Sequence, residues 1–248
     1  MGGLGSIILI CAVIYVIYIL IKRRGNIPYN KGIKLIHEKN YAEALQCLEK
    51  AVNIGVAPML EISAAYAEVK FGDVTKAEQK INMVLLNPKV QRNMKNEARC
   101  VLAIINIAKG DINNALEIME KMYDEYKTTK FYSTYGYLAI ASGDMEFAKK
   151  INEEAYEYNS DNDVICDNYG LYLYNAGEYE KAAEIYEKIT AKELKFPEGY
   201  YNYACVLVKS GDNEKAKEML EKALSMEYFG VTTIKKSEVE SLYNSLNV

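Results

Sequence analysis

The side chains of this chain that could carry covalent or acid–base chemistry are few and scattered. There is one histidine, His37, near the end of a predicted helix, and there are five cysteines: Cys11, Cys47, Cys100, Cys166 and Cys205. A lone imidazole cannot build a metal cluster, and no serine or cysteine nucleophile motif surrounds it. No two cysteines form a C-x-x-C pair, so the set reads as reduced thiols in a reducing compartment rather than a disulfide frame or a zinc site. Neighbouring acids such as Glu153–Glu154 sit on an ordinary polar helix face. The glycines stand singly, and neither G-x-x-x-x-G-K nor G-x-G-x-x-G occurs, so no phosphate loop is expected. Catalysis, a cofactor and a bound metal are therefore not expected. The chemistry that remains is recognition. The chain has 22 tyrosines and no tryptophan, and tyrosine offers a large contact area with a polar tip at low entropic cost. A formal net charge of −4, with Glu and Lys interspersed, gives no reason to expect nucleic-acid binding.

Such side chains need elements to hold them, and a recurring stretch shows which elements those are. Ala176-Gly-Glu-Tyr-Glu-Lys-Ala-Ala183 recurs loosely around Gly72, Gly110, Gly143 and Gly211, with a degenerate first copy at Lys39–Ala44. The steps between the marks are 33, 38, 33, 34 and 34 residues. A period near 34 residues means a stack of similar units, none of which buries its apolar face alone. Each mark has a local reading. The glycine takes the left-handed conformation that ends one helix. The acid directly after it (Asp73, Asp111, Asp144, Asp212) caps the next helix, worth roughly 1 kcal/mol each. The alanine five residues past the glycine (Ala77, Ala115, Ala148, Ala182, Ala216) is small because two helices cross there. The predicted unit is helix, tight turn, helix. Only four prolines interrupt the chain, and an almost wholly helical protein is expected.

The pattern resembles the tetratricopeptide repeat family. With the glycine as the fifteenth of 34 positions, the family's small eighth residue is Gly32, Ala65, Ala103, Gly136, Gly170 and Ala204, and its small twentieth is Ala44 followed by the five alanines above. The twenty-seventh is alanine only at Ala51, Ala155 and Ala223, and the family's tryptophan at the fourth position is absent. The resemblance covers residues 25 to 230. It implies an all-α, right-handed α-solenoid of about six repeats (25–57, 58–91, 96–128, 129–162, 163–196 and 197–230). It also implies a concave groove lined by the first helix of each repeat. On that mapping the partner-binding candidates are Tyr66, Tyr137, Asn168, Tyr174, Tyr201 and Asn202. The ninth positions are not asparagine, so an acidic chaperone tail is not the expected ligand.

Two segments flank the repeats. Residues 1–21 carry no charged side chain, and the apolar run 4–21 is 18 residues long. At about 1.5 Å per residue that is about 27 Å, close to the hydrocarbon thickness of a bilayer. Lys22, Arg23 and Arg24 come next, so 1–24 is predicted to be a single-pass transmembrane anchor with a basic stop, N-terminus outside and repeats cytoplasmic. At the other end, Val239, Leu242, Tyr243 and Leu246 fall at helical spacing, and Ser237 with Glu240 suggests a capping box. Residues 231–248 are predicted to form a helix that caps the stack. The expected function is a membrane-anchored scaffold that recruits a protein or peptide partner, in a bacterial plasma membrane. The alternatives are an extracytoplasmic assembly factor or chaperone of the same fold, and a regulatory adaptor of a membrane-associated enzyme.

Overall fold

The computed structural model describes residues 8, 11–16, 19 and 23–246. The described residues contain helices and no strand. The chain divides into two compact units, Met1–Val101 and Leu102–Val248. The first holds α1 (Asn26–His37), α2 (Tyr41–Ile54), α3 (Pro58–Phe71), α4 (Val74–Leu86) and the start of α5 (Arg92–Ala108). The second holds the rest of α5 and α6 (Ile112–Glu120), α7 (Thr129–Ala141), α8 (Met145–Tyr158), α9 (Asp163–Asn175), α10 (Tyr179–Thr190), α11 (Pro197–Ser210), α12 (Asn213–Leu224) and α13 (Lys236–Ser245). No helix of the described residues is long and apolar enough to cross a membrane. Most of the predicted span 4–21 lies outside the described residues.

The turns obey local side-chain chemistry. Asp73 accepts from the amides of Thr75 and Lys76, Asp111 from Asn114, Asp144 from Glu146 and Phe147, and Asp212 from Lys215. Each such cap satisfies N–H groups that a helix start leaves without partners. Asn40 does the same for Glu43 in the degenerate first repeat, whereas Glu178 makes no side-chain cap. The glycines differ from expectation at one place. Gly110, Gly143, Gly177 and Gly211 have φ between +78° and +81°, and Lys39 takes the same role at φ 59° without being glycine. Gly72 has φ −139°, outside the left-handed region. Space, rather than backbone sign, sets this residue: a Cβ there would lie 2.5 Å from the Glu68 carboxylate and 2.6 Å from Leu45.

Within each pair, small residues let the two helices touch. The six alanines at the twentieth position are at most 1% exposed. Gly32 lies under Leu48, and Gly170 lies under the ring of Tyr186, each too close to admit a Cβ. In unit 2 the core is rich in tyrosine: Tyr186 and Tyr203 stack at 5.7 Å between ring centres, packed with Ala204, Ala216 and Leu220. The extra residues of the 38-residue step lengthen a helix. α5 runs for 17 residues, where its counterparts have 12 to 14.

At the C-terminus, Val239 is fully buried, with Leu242, Tyr243 and Leu246 packed beside it against the unit 2 core. The cap lies two residues before the expected place. α13 starts at Lys236, and the Glu238 carboxylate accepts the Lys235 amide at 3.0 Å, while Ser237 sits inside the helix. The apolar phase of Val239 and Leu242 puts Lys235 at the entry, and the glutamate three residues on is then Glu238.

Candidate functional site

In unit 2 the first helices of three repeats, α7, α9 and α11, pack side by side, α9 touching both of the others. Hydrogen bonds from asparagine side chains to residues one repeat earlier fix their register. The Asn168 amide donates to the Ser133 carbonyl at 2.8 Å, and the Asn202 amide donates to Asp167 Oδ1 at 3.0 Å. Both asparagines are buried, so they form the floor of this face. Asp167 is buried between them. Burial raises its pKa to about 7, with Glu198 adding to the rise and Asn202 opposing it. The Tyr186 hydroxyl donates to the Asp167 backbone carbonyl at 3.0 Å, which holds α9 against α10.

A tyrosine pair and a single tyrosine belong to this face. Tyr174 and Tyr201 are half-buried with Cys205. Burial pushes both phenols up, Tyr201 to about 12, and the nearby Cys205 adds to each. Tyr179 closes the Tyr174 side at 5.6 Å between ring centres. Apart from that pair, Tyr137 is half-buried, and burial followed by the charge of Glu198 raises its pKa. Its phenol lies close to the side chain of Thr233, which lies beyond the last repeat. Glu198 Oε1 accepts from both the amide and the hydroxyl of that threonine, at 2.8 and 3.3 Å.

The remaining candidates lie elsewhere or are engaged in the fold. Tyr66 is exposed on α3 in unit 1. His37 is exposed in the last turn of α1. Glu154, half of the adjacent acid pair, is a staple in unit 2. It accepts from Tyr123, Tyr132 and Lys127 at 2.5–2.6 Å. Burial works to raise its pKa, but the bonds from Lys127, Tyr123 and Tyr132 outweigh that and bring it to about 2. None of the five cysteines is in a disulfide, and no group of three or more His, Cys, Asp or Glu among the described residues could hold a metal ion.

A model of the tetratricopeptide repeat-like domain matches residues 36–167, more than half of the chain, and a tetratricopeptide repeat model matches 197–228. The chain belongs to the tetratricopeptide repeat family. Solved tetratricopeptide repeat proteins share its fold at low identity. One, from Parabacteroides merdae ATCC 43184, is 16% identical, with a TM-score of 0.69 over 91% of this chain and 85% of that one. A thermophilic member from Thermus thermophilus is 19% identical, with a TM-score of 0.51 over 90% of this chain and 98% of that one. The Pseudomonas aeruginosa protein pilF is 12% identical, with a TM-score of 0.57 over 80% of this chain and 89% of that one. No curated protein matches the chain.

Tetratricopeptide repeat proteins generally act as protein-interaction scaffolds, and the residues on the first helices decide what is bound. Tyr137, Asn168, Tyr174, Tyr201 and Asn202 all fall on α7, α9 and α11. Three further residues of this face were not among the sequence-based candidates. Asp167 and Glu198 stand at the fifth and second positions of their repeats, both groove positions, so the repeat register carried a signal for them. Thr233 lies outside every repeat, and no spacing points to it.

Proposed function

We propose that this tetratricopeptide repeat protein is a membrane-anchored scaffold that binds an extended protein or peptide segment on the α7–α9–α11 face and holds it near the bilayer. The observation that carries the reading is a half-buried tyrosine pair and a third half-buried tyrosine, set beside buried acid and amide groups on three adjacent first helices. Aromatic side chains anchored in this way supply most of the energy of protein interfaces, and the buried Asn168 and Asn202 amides hold together the helices that present them. The anchor rests on the apolar run 4–21, and the cytoplasmic side on the basic residues directly after it. Five cysteines outside any disulfide agree with a reducing compartment. Tethering then works by concentration: a membrane-bound partner meets the face as an intramolecular ligand would.

Affinity capture of the full chain from membranes in mild detergent tests the scaffold. A specific partner should be retained by the unaltered chain and lost on Tyr174→Ala with Tyr201→Ala; capture unaffected by that pair would sink the reading. Fusion of alkaline phosphatase after Val248 tests the side, with an inactive fusion expected and an active one rejecting the cytoplasmic assignment.

A further inference from the structure

The segment between α12 and α13 does not simply bridge two helices. Phe229 and Thr232 close a turn on themselves: the Thr232 amide donates to the Phe229 carbonyl at 2.9 Å, and the Thr232 hydroxyl takes the Phe229 amide at 3.0 Å. The turn delivers Thr233 to Glu198 on α11 and Tyr137 on α7, residues from two repeats that are not neighbours. Ile234 comes next and packs against the unit 2 core, while Thr233 itself stays at the surface. The strap is thus held by the partial burial of Ile234 and by a small number of side-chain bonds at the surface. Such a segment opens at far lower free energy than the helices beneath it.

The chemistry of the hold is selective. One carboxylate oxygen, Glu198 Oε1, takes both the amide and the hydroxyl of the same residue, and Tyr137 meets that side chain from another helix. Among ordinary residues only serine and threonine offer an N–H and a γ-hydroxyl so close together. A phosphorylated side chain would instead bring about two negative charges against Glu198, beside Asp167, and be repelled.

We propose that residues 229–235 are an in-built occupant of this face, and that the protein's ligand is an extended peptide whose unphosphorylated serine or threonine takes the place of Thr233 between Glu198 and Tyr137. This deepens the scaffold reading and rests on it. The strap competes as a tethered ligand, with an effective concentration on the order of millimolar, so a partner binds only when it outcompetes the strap or the strap is released.

The test uses the full chain and a labelled synthetic peptide with the sequence of residues 228–236. Thr233→Val in the full chain keeps the shape of the strap and removes its hydroxyl. The labelled peptide should bind that variant about tenfold or more tighter than the unaltered chain. A peptide with the same Thr233→Val change, or with phosphothreonine there, should bind about tenfold or more weaker, and adding Glu198→Gln to the protein should erase the preference. In hydrogen exchange, the amides of 231–235 should open faster in Thr233→Val while α9 and α11 are unchanged. Equal binding to both chains, binding to neither, or strap amides that exchange only as slowly as α11 each overturn the proposal. A chain that still captures its partner through Tyr174 and Tyr201 while Thr233→Val changes nothing keeps the scaffold reading and loses only this one.

Discussion

Glu68 and Asp167 are both buried acids, one in each unit, and they meet opposite company. In unit 1, Glu68 Oε2 receives the Lys80 ammonium at 2.7 Å, and Oε1 receives the Asp73 amide at 3.2 Å. The carboxylate therefore ties α3 to α4 across the turn, and it fills the space that a side chain at Gly72 would need. In unit 2, Asp167 receives a neutral amide from Asn202, and the charged group beside it is another acid, Glu198. An acid matched by a cation serves the fold, because the pair joins two helices. An acid matched only by dipoles has a charge that burial can suppress and surroundings can restore. Groups of the second kind gather at functional sites.

Breaking the first arrangement should have the largest effect. Lys80→Met strands the Glu68 carboxylate and should cost about 3–5 kcal/mol in urea unfolding. Glu68→Leu with Lys80→Met should recover most of it, since a buried pair adds little over apolar residues of similar volume. A Lys80→Met chain within about 1 kcal/mol of the parent would show that the pair is not what holds that turn.

The second acid predicts a pH response. Asp167 keeps its proton to about pH 7 when folded, against an ordinary value of 3.8. Between those values the folded state binds more protons than the unfolded one, so this group lowers stability as pH rises through the window and adds no further loss above it. Asp167→Asn keeps the shape and removes the charge. It should flatten the fall in melting temperature from about pH 4 to about pH 8 and gain on the order of 2–4 kcal/mol at the upper end. An identical pH profile in the variant would show that Asp167 ionises freely in the folded chain.

The turns sharpen the same contrast on a smaller scale. Gly72→Ala forces its new Cβ into Glu68 and Leu45 and should cost about 1–3 kcal/mol. Gly177→Ala meets no atom within 4 Å and should lose only the left-handed penalty, about 1 kcal/mol. Asparagine should be better tolerated than alanine at 177 and worse at 72. Equal tolerance at the two sites would mean that one cause governs both. Smallest of all, Lys39→Gly should gain roughly 0.5 kcal/mol by relieving a left-handed lysine, read as a slightly higher melting temperature.

The helical pairing was legible because it rests on short-range chemistry: an acid caps the amides two or three residues on, and an alanine lets the chain cross itself. Those rules act within one turn and leave a mark in the spacing. Gly72 carried the same mark for a different reason, and only the position of Glu68 reveals it. The face on α7, α9 and α11 was half legible. Tyr137, Tyr174 and Tyr201 come directly from repeat register. That the Asn168 and Asn202 amides are spent inside the fold depends on the residues standing one repeat earlier, which register alone does not supply. Asp167 and Glu198 look like any other surface acids until burial is known. Thr233 had no signal at all, since a 34-residue period says nothing about the chain beyond its last copy.

That threonine also sets an order of assembly. The bonds that join one repeat to the next, Asn168 to Ser133 and Asn202 to Asp167, each link residues 35 apart. A chain held by such links can zip up one pair at a time, with little loop-closure entropy to overcome at any step. The bonds from Thr233 to Glu198 also span 35 residues. They close once α11 and α12 have folded the intervening chain into a short distance. The strap therefore docks after the last pair of helices has formed.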